Sequence, residues 1–275
     1  MRQAIFTLTR YGMSYKLVCF DLDGTLVDHD FHLPAANLEA VQELRRRGYR
    51  ITVATGRSRS AAQPYLDALE IAEPMVLSNG TVTFDPNTGE RRVLMSVPLA
   101  WARRVIELEQ THPLSIKVHL ADGRIFKSKD LPWPDEGVHF VTGELHPNLL
   151  AELDQDPIKL VVHGEPGEMD QFQRELSEMI ADAPIRCFRT HRYYLEITNS
   201  HVSKGAALKL LLPRMGLAPA EVVGVGDQEN DLELVRDFGL GLRVGDACEK
   251  LIPVAQHRLD PPELGGIQGL LRLLP

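Results

Sequence analysis

Short unbroken apolar runs alternate with stretches whose apolar residues recur at helical spacing, and this rhythm organises both ends of the chain. Lys16 to Phe20 is one such run, as expected of a strand buried on both faces of a parallel sheet, and it stops abruptly at Asp21. Pro34 suits the first turn of a helix, and behind it Ala35, Leu38, Val41 and Leu44 keep helical spacing until Gly48. The Arg45-Arg46-Arg47 run falls in the last turn, where it complements the helix dipole and needs no other role. Arg50 to Ala54 predicts a second buried strand, Thr55-Gly56-Arg57 a loop, and residues 60–69 another helix; Met75 to Ser78 predicts a third strand. Such a β-α-β-α rhythm implies right-handed crossovers and a parallel α/β sheet.

The pattern changes after Asn79-Gly80, a strong turn signal. Thr81 to Phe84 leads through Asp85 to Gly89 into a hairpin, a helix is expected over about 98–110, and Ile116 to Leu120 faces Ile125 to Lys127 across a short turn. A strand at 157–163, a helix at 169–180 and strands at 185–189 and 193–197 complete a stretch of antiparallel sheet and helix. Beyond Ser203 the first rhythm returns, with a helix to about Met215, a strand from Glu221 to Val225, a helix over 232–237 and a strand from Leu240 to Val244. The expected architecture is a Rossmann-like, doubly wound parallel-sheet core over 13–82 and 199–275, interrupted by an inserted α+β cap domain over 83–198. Residues 1–12 are expected to be a flexible extension.

Composition narrows the function classes. Hydrophobic residues make up 44% and charged residues 25% of the 275, values of an ordinary folded chain. The net charge of −8 disfavours nonspecific binding to nucleic acid or an anionic membrane, so an anionic ligand must meet local positive charge. No apolar run approaches the roughly 20 residues that span a bilayer, and Ala4 to Leu8 is too brief for a signal-peptide core, so a cytoplasmic protein is expected. Cys19, Cys187 and Cys248 are isolated, with no C-x-x-C pair, which argues against a disulfide framework or a structural zinc site and predicts small core residues.

The chemistry concentrates at strand ends. Asp21-Leu22-Asp23-Gly24-Thr25 follows the first strand, at the carboxyl end where open α/β sheets place ligands. A D-x-D-G-T match by chance is on the order of 10⁻⁵ per position. Thr55 follows the second strand, Lys204 opens a helix, and Gly226-Asp227-Gln228-Glu229-Asn230-Asp231 follows the strand ending near Val225.

In this order the motifs resemble those of the haloacid dehalogenase superfamily. The long insert, Ser78-Asn79-Gly80 and His201-Val202-Ser203-Lys204-Gly205 are similar to its Cof-type sugar-phosphatase branch, whose insert is a class IIB cap. The likeness runs from about Lys16 to the end. It implies Mg²⁺-dependent hydrolysis of small phosphate monoesters, sugar phosphates or phosphorylated cofactors, through an aspartyl-phosphate on Asp21. Splitting hydrolysis into two displacements eases each of them. Asp23 would serve as general acid and then base. Mg²⁺ favours a few carboxylates, waters and phosphate oxygens, which suits Asp21, the backbone carbonyl of Asp23, Asp227 and Asp231. Lys204 would offset phosphoryl charge, and Thr55 and the amides around Gly56 would donate to the same oxygens. Asn230 would orient phosphate or metal waters; Arg57 would touch substrate or cap its helix. Asn79 reads as a turn residue.

The resemblance also implies that cap residues choose the substrate, with Lys117, His119, Arg192 and Tyr193 as candidates and Trp133 as a rim or core residue. The chain departs from the branch at Thr81, Leu234 and Gly245-Asp246-Ala247, the last adding negative charge. A phosphomutase of hexose phosphates and a non-catalytic phosphometabolite-binding protein are the rival readings. The expected partner is a small phosphorylated metabolite, with no nucleic acid and no membrane, and the chain is expected to be a monomer or weak homodimer.

Overall fold

The computed structural model describes residues 15–131, 143–191 and 193–275, so the expected extension at 1–12, Trp133 and Arg192 lie outside the described residues. The elements begin with β1 (Leu17–Phe20), α1 (Ala35–Arg46), β2 (Arg50–Val53), α2 (Arg59–Ala68), β3 (Met75–Leu77), β4 (Val82–Phe84), β5 (Arg91–Val93) and α3 (Leu99–Gln110). Next come β6 (Ser115–His119), β7 (Ile125–Lys127), β8 (Glu144–Leu145), α4 (Leu149–Glu152), β9 (Lys159–His163), α5 (Pro166–Met179), β10 (Ile185–His191) and β11 (Tyr194–Asn199). The chain ends with α6 (Lys204–Met215), β12 (Val222–Gly226), α7 (Leu232–Arg236), β13 (Leu240–Val244), β14 (His257–Leu259) and α8 (Leu270–Leu273). Two compact units result: the described residues up to Thr55 with Gln63–Met75 and Leu208–Pro275 form the first, and Gly56–Ala62 with Val76–Ala207 the second. Among the described residues no helix is long and apolar enough to cross a membrane.

The first unit is an α/β sheet in the order β14-β13-β12-β1-β2, with every neighbouring pair parallel. All residues of β1 and β12 are buried, as strands covered on both faces require. Successive strands leave β1 in one direction and β12 in the other, so the winding reverses between those two. Their carboxyl ends are a topological switch point, where the splayed connections leave room for a ligand. The helix α1 buries Asn37, Ala40, Val41 and Leu44, whereas Ala35 is exposed and Leu38 half-buried. Asn37 escapes an apolar pattern because its burial is secured by hydrogen bonds. Its amide donates to the carbonyls of Leu26 (3.0 Å) and Pro262 (3.2 Å), and its oxygen accepts from the Ile267 amide (3.3 Å).

Met75–Leu77 does not continue the parallel sheet. It heads a three-stranded sheet ordered β3-β4-β5, because Ser78, Asn79 and Gly80 all take positive φ and turn the chain at once into β4. Of the cysteines, Cys19 is buried in β1 as a core residue, while Cys187 and Cys248 are only half-buried.

The second unit's larger sheet runs β10-β11-β9-β6-β7-β8, antiparallel except for β7 with β8. Ile116, Val118, Leu160, Val162, Leu195 and Ile197 share its apolar side with Val105, Ile106, Phe172 and Leu176 of α3 and α5. Strand alternation sends Lys117, Lys159, His163 and Glu196 to the opposite side. There burial, and then the charges of Lys117 and Lys127, push His163 down to about 4, against a smaller upward pull from backbone groups of Ser115 and Leu131. The folded value lies below the unfolded one near 6.5, so on acidification the unfolded chain takes up the proton first. Stability is expected to be complete above pH 6.5 and to fall by on the order of 2–3 kcal/mol as the pH drops to about 4. Denaturation of His163→Gln beside wild type at neutral and acidic pH checks this; an identical loss in both proteins would refute it.

Candidate active site

At the end of β1 the Asp21 amide donates to the Val225 carbonyl (2.9 Å), which extends the β1–β12 ladder by one residue and fixes where the first carboxylate leaves the sheet. The Leu22 carbonyl then accepts from the amides of Thr25 (3.3 Å), Leu26 (2.9 Å) and Val27 (2.8 Å), folding D-x-D-G-T into a tight loop. Leu22 is fully buried, which anchors the loop between its two aspartates. Asp21 is buried and Asp23 half-buried. Gly24 takes φ +75°, and a Cβ there would lie 2.3 Å from Oδ2 of Asp227. Gly24→Ala is therefore expected to cost roughly 1–2 kcal/mol in backbone strain and to displace the Asp227 carboxylate as well. A melting temperature and a metal titration unchanged by the substitution would contradict this.

At the end of β12, Asp227 is held by Thr25, whose hydroxyl donates to its Oδ1 (2.9 Å), and by the Gln228 amide nitrogen, which donates to its Oδ2 (3.1 Å). Oδ2 of Asp231 accepts from the backbone amides of Asp227 and Gln228, both at 3.1 Å, and so closes the turn that presents Asp227. Gly226 permits that turn, because a Cβ would stand 2.4 Å from the Asp231 Cβ.

The result is a cluster of buried Asp21, Asp227 and Asp231, each offering one oxygen, with these atoms within 4.8 Å of one another. The Asp23 carboxylate is not a member of it. Carboxylates so close repel one another in a low-dielectric setting, and the cluster could hold a hard divalent cation that offsets this. All-oxygen donors suit Mg²⁺ or Mn²⁺ rather than a soft metal.

Thr55 is fully buried, directly after the Ala54 amide donates to the Phe20 carbonyl (2.8 Å). Asn230 is buried in the turn after β12. With Asp21, Asp23, Asp227 and Asp231, these residues belong to the first unit.

Gly56, Arg57 and Lys204 belong to the second unit. Lys204 is fully buried at the first position of α6, and the Ser203 hydroxyl oxygen accepts from the Ala206 amide (3.0 Å) to cap that helix. Arg57 donates from Nη1 to the Ala61 carbonyl (3.3 Å), a contact from the loop before α2 to the first turn of that helix. Around Gly56 lies a network that motif reading missed. Lys159 donates to the Gly56 carbonyl (3.0 Å) and pairs with Glu196 (3.1 Å), and the Asn79 amide also donates to Glu196 (2.8 Å). Asn79 is thus a fully buried side chain as well as a turn residue, and a Cβ on Gly56 would meet it at 3.0 Å. The available signal was a charged residue standing in an apolar strand, Lys159 before Leu-Val-Val and Glu196 between Leu195 and Ile197. Among the departures from the branch, Asp246 is held in an exposed ion pair by Arg258 (2.8 Å), which offsets its charge.

The chain belongs to the haloacid dehalogenase-like hydrolase family, whose sequence profile matches residues 18–271, and is an enzyme of that family. It is 22% identical over 259 residues to the 5-amino-6-(5-phospho-D-ribitylamino)uracil phosphatase YitU of Bacillus subtilis, covering 93% of this chain and 96% of the relative. It is 28% identical over 243 residues to an HMP-PP phosphatase of Serratia proteamaculans, covering 86% of each. In fold it is similar to a HAD/COF-like hydrolase of Plasmodium vivax, with a TM-score of 0.82 at 22% identity over 95% of this chain and 96% of that one.

Proposed function

We propose that this hydrolase is a Mg²⁺-dependent phosphatase of small phosphate monoesters that works through an aspartyl-phosphate on Asp21. The observation that carries the reading is the buried trio of Asp21, Asp227 and Asp231 at the switch point of the parallel sheet. The relatives named phosphatases support the same reaction class.

Phosphate esters resist attack because their oxygens repel an anionic nucleophile, so positioning and charge neutralisation dominate the catalysis. Asp21 is proposed to attack phosphorus in line as the leaving alkoxide takes a proton from Asp23; Asp23 then accepts a proton from the water that hydrolyses the aspartyl-phosphate. Asp23 suits this exchange because it stands two residues from Asp21, half-buried, outside the carboxylate cluster. Asp21, Asp227 and Asp231, with the Asp23 carbonyl, would hold Mg²⁺, which when bound neutralises carboxylate and phosphoryl charge. Lys204, Thr55 and the amides near Gly56 are proposed to bind the phosphoryl oxygens, with Asn230 orienting them and Arg57 a further substrate contact. The catalytic core is proposed to comprise residues 13–82 and 199–275, with 83–198 as a substrate-selecting cap, in a cytoplasmic protein.

The test is release of inorganic phosphate, with and without Mg²⁺, from a panel of sugar phosphates and phosphorylated cofactors. Metal-dependent release supports the proposal. Conversion of a hexose 1-phosphate to the 6-phosphate without release would replace it with a mutase, and tight binding without any turnover would replace it with a sensor.

A further inference from the structure

Lys159 and Glu196 are charged residues in otherwise apolar stretches of strand, and both are buried. Glu196 of β11 pairs with Val161 of β9, two residues beyond Lys159, so the two side chains share one side of the sheet and meet diagonally (3.1 Å). A buried ion pair adds little net stability, because desolvation offsets the attraction, and apolar residues of similar volume often serve a core as well. What this pair supplies is fixed geometry. Oε2 of Glu196 accepts from both Lys159 and the Asn79 amide (2.8 Å), and Lys159 donates also to the Gly56 carbonyl (3.0 Å).

That carbonyl shares a planar trans peptide with the Arg57 amide, and the two point in opposite directions. A cation held on the oxygen therefore fixes the direction of the N–H and polarises it as a donor. The next carbonyl is fixed as well, since that of Arg57 accepts from the Ser78 amide (3.0 Å). Ser78 and Asn79 are successive non-glycine residues at positive φ, 50° and 56°, and such a strained turn persists only where its surroundings over-determine it. The bond from Asn79 to Glu196 is one of those constraints. Gly80 then closes the turn on the start of α6, where a Cβ would lie 2.3 Å from the Ser203 carbonyl oxygen and 3.1 Å from the Lys204 amide nitrogen. The Gly56–Arg57 peptide, the turn at 78–80, the ion pair and Lys204 form one contiguous assembly, all of it within the second unit.

We propose that Lys159 and Glu196 are positioning residues for phosphoryl binding: they aim the amides around Gly56 and, through Asn79, seat the turn against which Lys204 begins its helix. The proposal rests on the phosphatase reading, which assigns the phosphoryl oxygens to those amides and to Lys204. It adds that β9 and β11, strands of the proposed cap, set the geometry of the transferred group.

The full-length Lys159→Met protein tests it beside the wild type. Three measurements are made: calorimetric titration with orthovanadate in saturating Mg²⁺, titration with Mg²⁺ alone, and hydrolysis of p-nitrophenyl phosphate and glucose 6-phosphate. Orthovanadate is expected to bind about tenfold more weakly, the worth of one charge-assisted hydrogen bond. The kcat/KM values for both esters are expected to fall by a common factor of about tenfold or more, because the transferred group is the same in each. Mg²⁺ affinity is expected to be unchanged, since the carboxylate cluster belongs to the first unit. Unchanged orthovanadate affinity overturns the proposal. So does a loss confined to one ester, which makes Lys159 a contact of the part that is not transferred, and so does a parallel loss of Mg²⁺ affinity, which makes its role one of general structure. Should Lys159→Met fail to fold because Glu196 has lost its counter-ion, the double variant Lys159→Met with Glu196→Gln, which carries neither charge, makes the same comparison. Failure of the phosphatase reading shows separately, as no phosphate release by the wild type from any ester while orthovanadate affinity still depends on Lys159.

Discussion

Asp21→Asn is expected to lower kcat by a factor on the order of 10⁴ or more while leaving the fold and ester binding in place. The substitution is nearly isosteric, and the backbone bond that sets the position of residue 21, from its amide to the Val225 carbonyl, does not involve the side chain. What disappears is the anionic oxygen that would attack phosphorus. An amide in its place removes one of three mutually repelling charges and with it one of the three proposed Mg²⁺ ligands, so at Mg²⁺ concentrations that saturate the variant phosphate esters should bind at least as well as they do to the wild type. Single-turnover phosphate release and calorimetric ester binding, run on both proteins, separate chemistry from binding. Near-normal release by the variant would end the aspartyl-phosphate mechanism; loss of both turnover and binding would point to a structural role for Asp21.

The second large effect concerns metal and stability together. Asp227→Asn is expected to weaken Mg²⁺ binding about a hundredfold or more, since a neutral amide replaces one of three carboxylates. At a Mg²⁺ concentration one hundred times its dissociation constant the wild type gains about 2.7 kcal/mol of stability, and a hundredfold weaker variant gains only about 0.4 kcal/mol. Without metal the order should reverse. Carboxylates whose oxygens lie within 4.8 Å of one another cost stability when nothing sits between them, and removing one charge relieves that repulsion. Thr25 can still donate to the new amide oxygen, and Gln228 must turn away from the new amide nitrogen, which trims the gain. Melting curves with Mg²⁺ and with chelator should therefore cross over between wild type and variant. A variant that Mg²⁺ stabilises as fully as the wild type would exclude Asp227 from the metal site.

Much of the architecture is local and was legible. The unbroken apolar run before Asp21 marks β1, the spacing of Val41 and Leu44 marks α1, and Asp85 to Gly89 marks a hairpin, because each depends on residues a few positions apart. Shorter elements such as β8, β14 and α8 escaped, since two to four residues are too few to show a period. The sheet to which Met75–Leu77 belongs also escaped, because a three-residue apolar run suits either sheet and the choice is made by the positive-φ turn that follows. Asn37 was passed over as polar, although three hydrogen bonds to distant backbone make its burial possible.

The sequence by itself determined which residues could carry the chemistry and that they stand at strand ends and helix starts, because strand termination, glycine turns and helix capping are decided within a few residues. Tertiary structure alone decided which of them meet. Asp21 and Asp227, far apart along the chain, emerge side by side only because β1 and β12 pair in parallel with Phe20 opposite Val225, and only there do they form one carboxylate cluster with Asp231. The same holds for Lys159 with Glu196 and for Lys117 with Lys127: strand register creates those neighbours, and no local pattern encodes it.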